Sequence, residues 1–284
     1  MTTTFIDLFA GIGSFHRSLT AVGFTCVAAC EINEAARETY HLNYGVLPHD
    51  DIRTFDAKGL APVDIVAGGF PCQPFSQAGQ HRGLADTRGT LFFELMRVAR
   101  EAQARVVVLE NVPSLLTHDG GRTWETVKRE LDDAGYQTTH AVLKACDHGT
   151  ISVPPIPQMR KRLFVVAAKT GAVRDLAGLL AVPKMPCRSL REFLGQPLKK
   201  PVAYTIRCGG RRSRLGSRHN WDAYETDGGT TYRLSIDDCV RLQGFDGIRL
   251  CGTATARWRM LGNTIPINLS RLIAERVAAN YSKQ

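Results

Sequence analysis

The chain has 284 residues, of which 44% are hydrophobic and 22% are charged, and its formal net charge is +9. This length and composition allow a substantial buried core, so we expect one large globular domain with a smaller attachment. No apolar stretch is long enough to cross a bilayer, and the N-terminal stretch lacks a basic start and a small-residue cleavage site. We therefore expect a cytoplasmic protein.

The eight cysteines include no CxxC pair. Because the sequence shows no export signal either, reduced thiols are expected. Cys26 and Cys30 have CxxxC spacing, but no second pair of ligands lies nearby, so two small residues packed around a strand are favoured over a metal site. We predict no bound metal.

Positive charge is concentrated in the C-terminal part of the chain. Residues 1–169 contain 17 basic and 18 acidic side chains, whereas residues 170–284 contain 19 and 9. Ten basic residues lie between Lys184 and Arg218, with Glu192 as the single acidic residue among them. Such a run can be a solvated face, but beside a neutral domain it favours a surface for a polyanion.

Apolar runs rich in β-branched residues alternate with stretches of helical spacing along residues 1–169. Strands are predicted at 4–10, 24–30, 63–69, 105–111, 137–143 and 163–168, and helices at 14–22, 33–43, 91–102 and 123–134. This alternation predicts an α/β fold, a parallel sheet with helices on both faces. Beyond Lys169 the sequence becomes rich in Gly, Pro and Arg, and helices are predicted again near 235–242 and 266–279.

Unusual residues follow the predicted strands, at the edge where α/β sheets bind ligands. Gly11 and Gly13 follow the first strand, but His16 stands where a dinucleotide fingerprint has its third glycine, which argues against NAD or FAD. Glu31 follows the second strand, where an acidic residue accepts hydrogen bonds from ribose hydroxyls. A carboxylate favoured by the positive end of a helix explains Glu31 about as well.

Asp51 and Ile52 lie in the segment "HDDIRTF" that precedes the third strand. A carboxylate and an apolar side chain at these positions could meet an adenine by a hydrogen bond and by packing. Taken with the glycines and the acidic residue above, they favour a nucleoside cofactor that has no pyrophosphate.

Cys72 and Glu110 follow two strands that we expect to be neighbours in the sheet, so their side chains should converge on one pocket. For an arbitrary cysteine at a strand end, inert packing is the favoured role. Here Pro71 and Pro74 restrict the backbone on both sides of the thiol, and a long polar segment with several glycines follows, as in a lid. This setting favours a nucleophile.

Six sequence blocks, in this order, resemble the DNA (cytosine-5)-methyltransferases: "FIDLFAGIGSF", "GGFPCQPFSQAG", "ENVPSLL", "PQMRKRLFVV", "RLSIDDCVRLQGF" and "GNTIPINL". The resemblance fails only in about 170–230, where that family has its variable target recognition domain. It implies a Rossmann-like methyltransferase sheet in a catalytic and cofactor-binding domain over 1–169. It also implies a small, irregular target recognition domain over 170–232 and a C-terminal segment, 233–284, that returns to the catalytic domain.

The resemblance implies a reaction as well, the transfer of a methyl group from S-adenosylmethionine to C5 of cytosine in double-stranded DNA. The thiolate of Cys72 would add to C6 of a flipped-out base, Glu110 would act at N3, and Arg162 would point at the cytosine. Arg160, with Gln158, would shape the catalytic site. The enzyme would be encoded by a bacterium or a phage, and it would be a monomer.

The resemblance also distributes the binding roles. Cofactor contacts are expected from Phe9, Gly11, Gly13, Glu31, Asp51, Ile52, Pro71, Leu91 and Asn263. DNA contacts are expected from Gln158, Arg88, Arg207, Arg211, Arg212, Arg214 and Arg218. Arginine can pair bidentately with guanine, but which of these arginines reads a base stays open.

One departure from the family pattern lies near the site. The segment "DHGTISVPPI" before "PQMRKR" contains an apparent short insertion, whose effect on local geometry is open. The recognition region is also compact, which predicts a short recognition sequence.

Other function classes stay open on the sequence. A thiol hydrolase or amidotransferase would pair Cys72 with a histidine base, for which the sequence offers His16, His81 and His148. It would leave Glu31 and the glycines after the first strand unexplained. A non-catalytic DNA-binding protein would have no need of the intact thiol and carboxylate. The tRNA-directed cytosine-5 branch shares these motifs, but the long basic variable region favours DNA.

Overall fold

Six strands form the central sheet of the computed structural model, which describes residues 2–60, 62–71 and 90–282. The strands are β1 (Thr4–Leu8), β2 (Thr25–Cys30), β3 (Ile65–Gly68), β4 (Val106–Asn111), β5 (Gln137–Lys144) and β6 (Lys161–Ala168). Their order in the sheet is β2-β1-β3-β4-β6-β5. The predicted α/β fold is confirmed. Two predicted site residues, Cys72 and Arg88, lie outside the described residues.

The prediction of a purely parallel sheet is wrong in one strand. Strands β1 to β4 pair in parallel, whereas β6 is antiparallel to both of its neighbours, β4 and β5. No helix lies between β5 and β6, so the chain has no crossover that would carry it back to the start of the sheet. Residues 145–160 therefore return it along the adjacent strand in the opposite direction.

Helices cover both faces of the sheet, because alternate side chains of each strand point to opposite sides. They are α1 (Ser14–Thr20), α2 (Glu34–Tyr44), α3 (Thr90–Glu101), α4 (Arg122–Asp133) and α8 (Ile267–Asn280). Val106 and Val108 of β4 share a buried cluster with side chains of α1 and α8. Val107 and Leu109 share another with side chains of α3 and α4.

A third buried cluster joins residues between 190 and 234 to the C-terminal helices. Its elements are α5 (Leu190–Leu194), β7 (Ala223–Glu225), β8 (Thr231–Arg233), α6 (Ile236–Leu242) and α7 (Ala254–Asn263). Trp221 and Tyr224 pack there with Phe245 and Trp258. At the start of α6, the side chain of Ser235 accepts a hydrogen bond from the backbone of Asp238, whose carboxylate accepts one in return.

Several of these elements are absent from the sequence prediction. Strands β7 and β8 have three residues each and α5 has five, too few to show a period. The sequence of α7, "ATARWRMLGN", has no clear apolar stripe, and its Gly-Asn end is typical of a turn. Among the described residues, no helix is both long and apolar enough to cross a membrane.

Removal of a large side chain from the centre of the sheet should test this packing. Phe164 on β6 is fully buried, so Phe164→Ala should lower the free energy of unfolding by about 3–5 kcal/mol in urea denaturation. The matched control is Val142→Ala on the edge strand β5, where the side chain is 40% exposed, and its effect should stay within about 0.5 kcal/mol. Equal losses in both variants would contradict the layer arrangement.

Candidate active site

A nearly buried ion pair lies at the carboxyl end of β4. The Nε of Arg162 is 2.6 Å from the Oε1 of Glu110, and the two side chains are 13% and 12% exposed. Antiparallel pairing of β4 with β6 brings the two side chains together. Glu110 on β4 lies opposite Phe164 on β6, and Arg162 is two residues before Phe164 on β6. The pair therefore depends on the one strand whose direction the sequence did not predict.

Burial raises the pKa of the Glu110 carboxyl above its usual value, and the nearby positive charges of Arg162 and Arg160 oppose this only in part. The carboxyl consequently keeps its proton to higher pH than an exposed glutamate. In its protonated form, such a carboxyl can donate a proton or a hydrogen bond.

The end of β3 is shaped around this carboxyl, and β3 and β4 are paired neighbours as predicted. A Cβ on Gly69 would lie 2.9 Å from the Oε2 of Glu110, so any larger residue would displace the carboxylate. Asn111, which is 5% exposed, donates a hydrogen bond of 2.9 Å from its Nδ2 to the backbone carbonyl of Phe70. It ties the segment that leads to Pro71 to the end of β4.

The loop after β1 has a left-handed backbone at three of its residues. Phe9 has φ 52°, Gly11 has φ 54° and Gly13 has φ 88°. The backbone N–H of Gly11 donates to the Oε2 of Glu31 at 2.8 Å, and Asn33 donates to the Oε1 at the same distance. Glu31 therefore fixes the loop from the end of β2, and its burial raises the pKa of its carboxyl.

A cavity opens at the carboxyl ends of β1, β3 and β4. Four predicted site residues line it together, namely Phe9, Gly11, Glu110 and Asn263, and Asp7 and Gly69 lie beside them. Asp7 is 1% exposed, and its Oδ1 has no hydrogen-bond partner among the described residues. The unpaired buried acceptor makes this cavity a candidate site for a polar group of the cofactor.

Other predicted cofactor residues are not in the lining of this cavity. Asp51 forms an ion pair of 2.5 Å with Arg53, which holds the pKa of its carboxyl below the usual value. Ile52 is 4% exposed and packs in the same buried cluster as α3 and α4, and Leu91 packs against that cluster. Pro71 is exposed at the end of the described segment.

Two polar residues were missed by the sequence analysis. Asp7 lies in "FIDLFAG" and Asn111 lies in "ENV", and both are polar residues inside otherwise apolar strands. A buried polar side chain needs a partner, so this placement is a signal that could have identified them. Their partners, however, come from distant parts of the chain.

Gln158 and Arg160 have buried positions that their predicted roles did not anticipate. The side chain of Gln158 is fully buried, its Oε1 accepts the N–H of Ile206, and its Nε2 donates to the carbonyl of Leu242. Arg160 is 1% exposed and donates to the carbonyls of Ile206 and Gly262, both at 2.8 Å. The expected DNA contact of Gln158 does not fit this burial, since its amide is already bonded inside the protein.

Both side chains instead hold the backbone of Ile206, one at its N–H and the other at its carbonyl. Gln158 and Arg160 lie on either side of the exposed Met159. This alternation agrees with the shared strand face that was predicted for these two residues and Arg162. The segment that leads into the basic region is therefore fixed to the start of β6, two residues before Arg162.

The predicted DNA-contacting arginines of the basic region are all exposed in the structure: Arg207, Arg211, Arg212, Arg214 and Arg218. None of these five forms an ion pair within the described ranges. Acidic side chains do not neutralise them there, so they are available to bind an anionic partner.

The apparent insertion packs against α8. The hydroxyl groups of Thr150 and Ser152 both donate to the Oε1 of Glu275, at 3.2 and 2.8 Å. Asn268 donates to the carbonyls of Ala145 and His148. These bonds direct the insertion to the C-terminal helix, away from the pair of Glu110 and Arg162.

Two of the histidines considered as bases have other partners. His16 is 8% exposed and its Nδ1 lies 2.7 Å from the hydroxyl of Tyr40, and burial lowers the pKa of its imidazole to about 4. The Nδ1 of His148 lies 3.1 Å from the backbone of Lys144. His81 lies outside the described residues.

The sheet, the cavity at its carboxyl edge and the acidic residue after β2 define an α/β protein of the doubly wound, nucleoside-binding class. Solved structures agree with this fold. S. pombe Dnmt2 methyltransferase has a TM-score of 0.74 at 19% identity and covers 96% of this chain and 98% of its own. An Entamoeba histolytica methyltransferase has a TM-score of 0.72 at 15% identity and covers 98% of each chain.

The family model described as C-5 cytosine-specific DNA methylase matches residues 3–186, and the chain belongs to this family. It is 31% identical to the Type II methyltransferase M.HhaI of Haemophilus parahaemolyticus over 98% of this chain and 95% of that protein. It is 41% identical to M.NgoBI of Neisseria gonorrhoeae over 97% of this chain and 87% of that protein.

The family resemblance inferred from the six sequence blocks is confirmed. The protein is a DNA (cytosine-5)-methyltransferase, its substrate is DNA, and S-adenosylmethionine is its methyl donor. The tRNA-directed and thiol hydrolase alternatives are not favoured.

A methyl group added at Gly69 should test the space around the carboxyl. Gly69→Ala should lower kcat about 100-fold, because the carboxylate would shift by roughly 1 Å from its working position. Cofactor affinity, measured by titration calorimetry, should change little. Gly59→Ala is the matched control, since nothing lies within 4 Å of the added Cβ. Normal turnover of Gly69→Ala would contradict the assigned position of Glu110.

Proposed function

We propose that Cys72 is the nucleophile of the reaction and that Glu110 and Arg162 hold the target cytosine. The observation that carries this proposal is the buried pair of Glu110 and Arg162 beside the end of β3. Cys72 follows Pro71 directly in sequence, and the bond from Asn111 to Phe70 fixes the chain just before it. These features support a thiol delivered to the same pocket as the carboxyl.

In the proposed reaction, the thiolate of Cys72 forms a bond to C6 and the electron pair of the C5–C6 double bond becomes available at C5. The proton held by Glu110 passes to N3 or is shared with it, which offsets the charge that enters the ring. The cofactor would supply an electrophilic methyl group to C5, and its sulfur would keep the electrons of the broken S–CH3 bond, which gives S-adenosyl-L-homocysteine as the product. Loss of the C5 proton to a base then restores the double bond and expels the thiolate.

Arg162 has two roles in this proposal. Its Nε holds Glu110 and its Nη1 donates to the backbone carbonyl of Lys161, so the guanidinium is fixed at the pocket rather than extended into solvent. Its Nη2 has no hydrogen-bond partner among the described residues and could bond the base. Arg160 and Gln158 act as positioning residues through Ile206.

The cofactor would be held at the cavity by Phe9, Gly11 and Asn263, with Asp7 as an added candidate. The support is that all four line one cavity and that the Oδ1 of Asp7 lacks a partner among the described residues. The other expected contacts stay predictions: Gly13, Glu31, Asp51, Ile52, Pro71 and Leu91.

We also propose that residues 170–232 form the target recognition domain and that 233–284 return to the catalytic domain. The exposed arginines of the basic region support DNA binding by this part, and Arg88 stays a predicted contact. The relatives named Type II methyltransferases support a modification enzyme that accompanies a restriction enzyme. Action as a monomer in the cytoplasm of a bacterium or an infected cell is part of the same proposal.

Replacement of the thiol should separate binding from chemistry. Cys72→Ser should abolish transfer of labelled methyl groups to plasmid DNA while cofactor and DNA binding persist, because a hydroxyl is a far weaker nucleophile than a thiolate. Duplex DNA with 5-fluorocytosine in the recognition site should trap a covalent adduct with the wild-type enzyme. The matched control is Cys251→Ser, which should turn over normally. An adduct that maps to another cysteine would refute the role of Cys72.

The raised pKa of Glu110 gives a pH dependence with a defined sign. The protonated carboxyl is the form that acts at N3, so the part of kcat that depends on Glu110 should fall as pH rises through a pKa above the usual value of 4.5. Glu110→Gln should lower kcat by about 10²- to 10⁴-fold and remove this fall, since an amide has no proton to lose. Single-turnover methyl transfer at several pH values measures both. The same fall in Glu110→Gln would assign it to another group.

A further inference from the structure

We infer that Arg211 is the arginine that reads a guanine in the recognition sequence; the inference rests on the proposed role of residues 170–232 in DNA recognition. The guanidinium carbon of Arg211 lies 3.8 Å from the centre of the Trp258 ring. Arg211 forms no ion pair within the described ranges, although its side chain is held in place.

Stacking leaves the guanidinium ready to recognise a base. Its attraction to the ring acts through the flat face, whereas the five N–H donors point outward in the plane of the group. Two of those donors match the O6 and N7 acceptors of guanine in the major groove. A side chain that is already ordered loses less conformational freedom on binding than a mobile arginine does.

The aromatic platform beneath Arg211 is itself fixed. Trp258 is 6% exposed and packs edge-to-face against Trp221, with ring centres 5.9 Å apart. Trp221 is fully buried, and its Nε1 donates to the carbonyl of Gly209 at 2.8 Å. The ring that positions Arg211 is therefore held by the segment that carries Arg211.

The segment also starts at the rim of the active-site cavity. The thiol of Cys208 donates to the Oδ1 of Asn263 at 2.7 Å, and Asn263 lines the cavity with Glu110. A Cβ on Gly262 would collide with the backbone of Cys208, so the two segments are in direct backbone contact. Three residues span at most about 11 Å, so Arg211 lies within reach of base pairs next to a flipped-out cytosine.

The other candidate arginines that the structure describes have no such platform. Arg218 donates from its Nε to the imidazole of His219, and Arg212 is held by its backbone N–H, which donates to Asp222. Arg207 and Arg214 show neither a ring contact nor an ion pair among the described residues. Exposed cations without a stacking partner suit phosphates, which carry no sequence information.

The test compares Arg211→Ala with the matched control Arg214→Ala in the full chain. Each enzyme methylates a duplex library in which the positions flanking one cytosine are randomised, and sequencing of the modified molecules gives the preference at each position. Arg211→Ala should lose about 5- to 150-fold of the preference for guanine at one position and keep the preferences at the others. Arg211→Lys, which keeps the charge but lacks the planar fork, should lose most of the same preference.

Arg214→Ala should leave every base preference intact and raise the KM for DNA equally for all sequences. The slope of log affinity against log salt concentration should fall by about one. Trp258→Phe should retain the guanine preference because it keeps an aromatic face. A uniform loss of affinity in Arg211→Ala with unchanged preferences would overturn the inference. If the wild-type enzyme modified no cytosine at C5, the proposed function would fail instead, and this outcome is separate because it needs no variant.

Discussion

The buried pair of Glu110 and Arg162 is the constraint on which the site depends. Burial of a carboxyl and a guanidinium is costly, and their interaction offsets this cost only when the geometry is close and other polar atoms are satisfied. The antiparallel pairing of β4 with β6 supplies that geometry at 2.6 Å. Absence of a side chain on Gly69 leaves room for the second carboxylate oxygen. The pair is thus a product of strand direction and of one glycine.

The segment just before β6 connects the pair of Glu110 and Arg162 with the backbone of Ile206. Gln158 and Arg160 hold both polar groups of the Ile206 peptide backbone, and Arg160 also holds Gly262 at the end of α7. Burial lowers the pKa of Arg160, and the nearby Glu110 opposes this. The backbone of Ile206 is therefore tied to Arg160, two residues before Arg162 in the chain.

Sequence patterns predicted the structural features that depend on residues close together in the chain. Runs of β-branched residues gave the six strands, and the adjacency of β3 and β4 placed Gly69 and Glu110 together. The direction of β6 was not predictable in this way, because it depends on how residues 145–160 return to the sheet. The burial of Gln158 was missed for a related reason, since Ile206 and Leu242 lie 48 and 84 residues away.

The loop after β1 shows that a glycine expected at a ligand site can be required by the packing of the protein itself. Gly13 was expected to contact the cofactor, and a Cβ there would collide with the ring of Tyr44. That ring stacks on His16, with centres 4.3 Å apart, and the hydroxyl of Tyr44 donates to the carbonyl of Ile12. His16 occupies the place of the third dinucleotide glycine, so aromatic packing from α2 fills the space that a pyrophosphate loop would leave open. The loop is shaped by the protein itself, which suits a cofactor with a single nucleoside and no pyrophosphate.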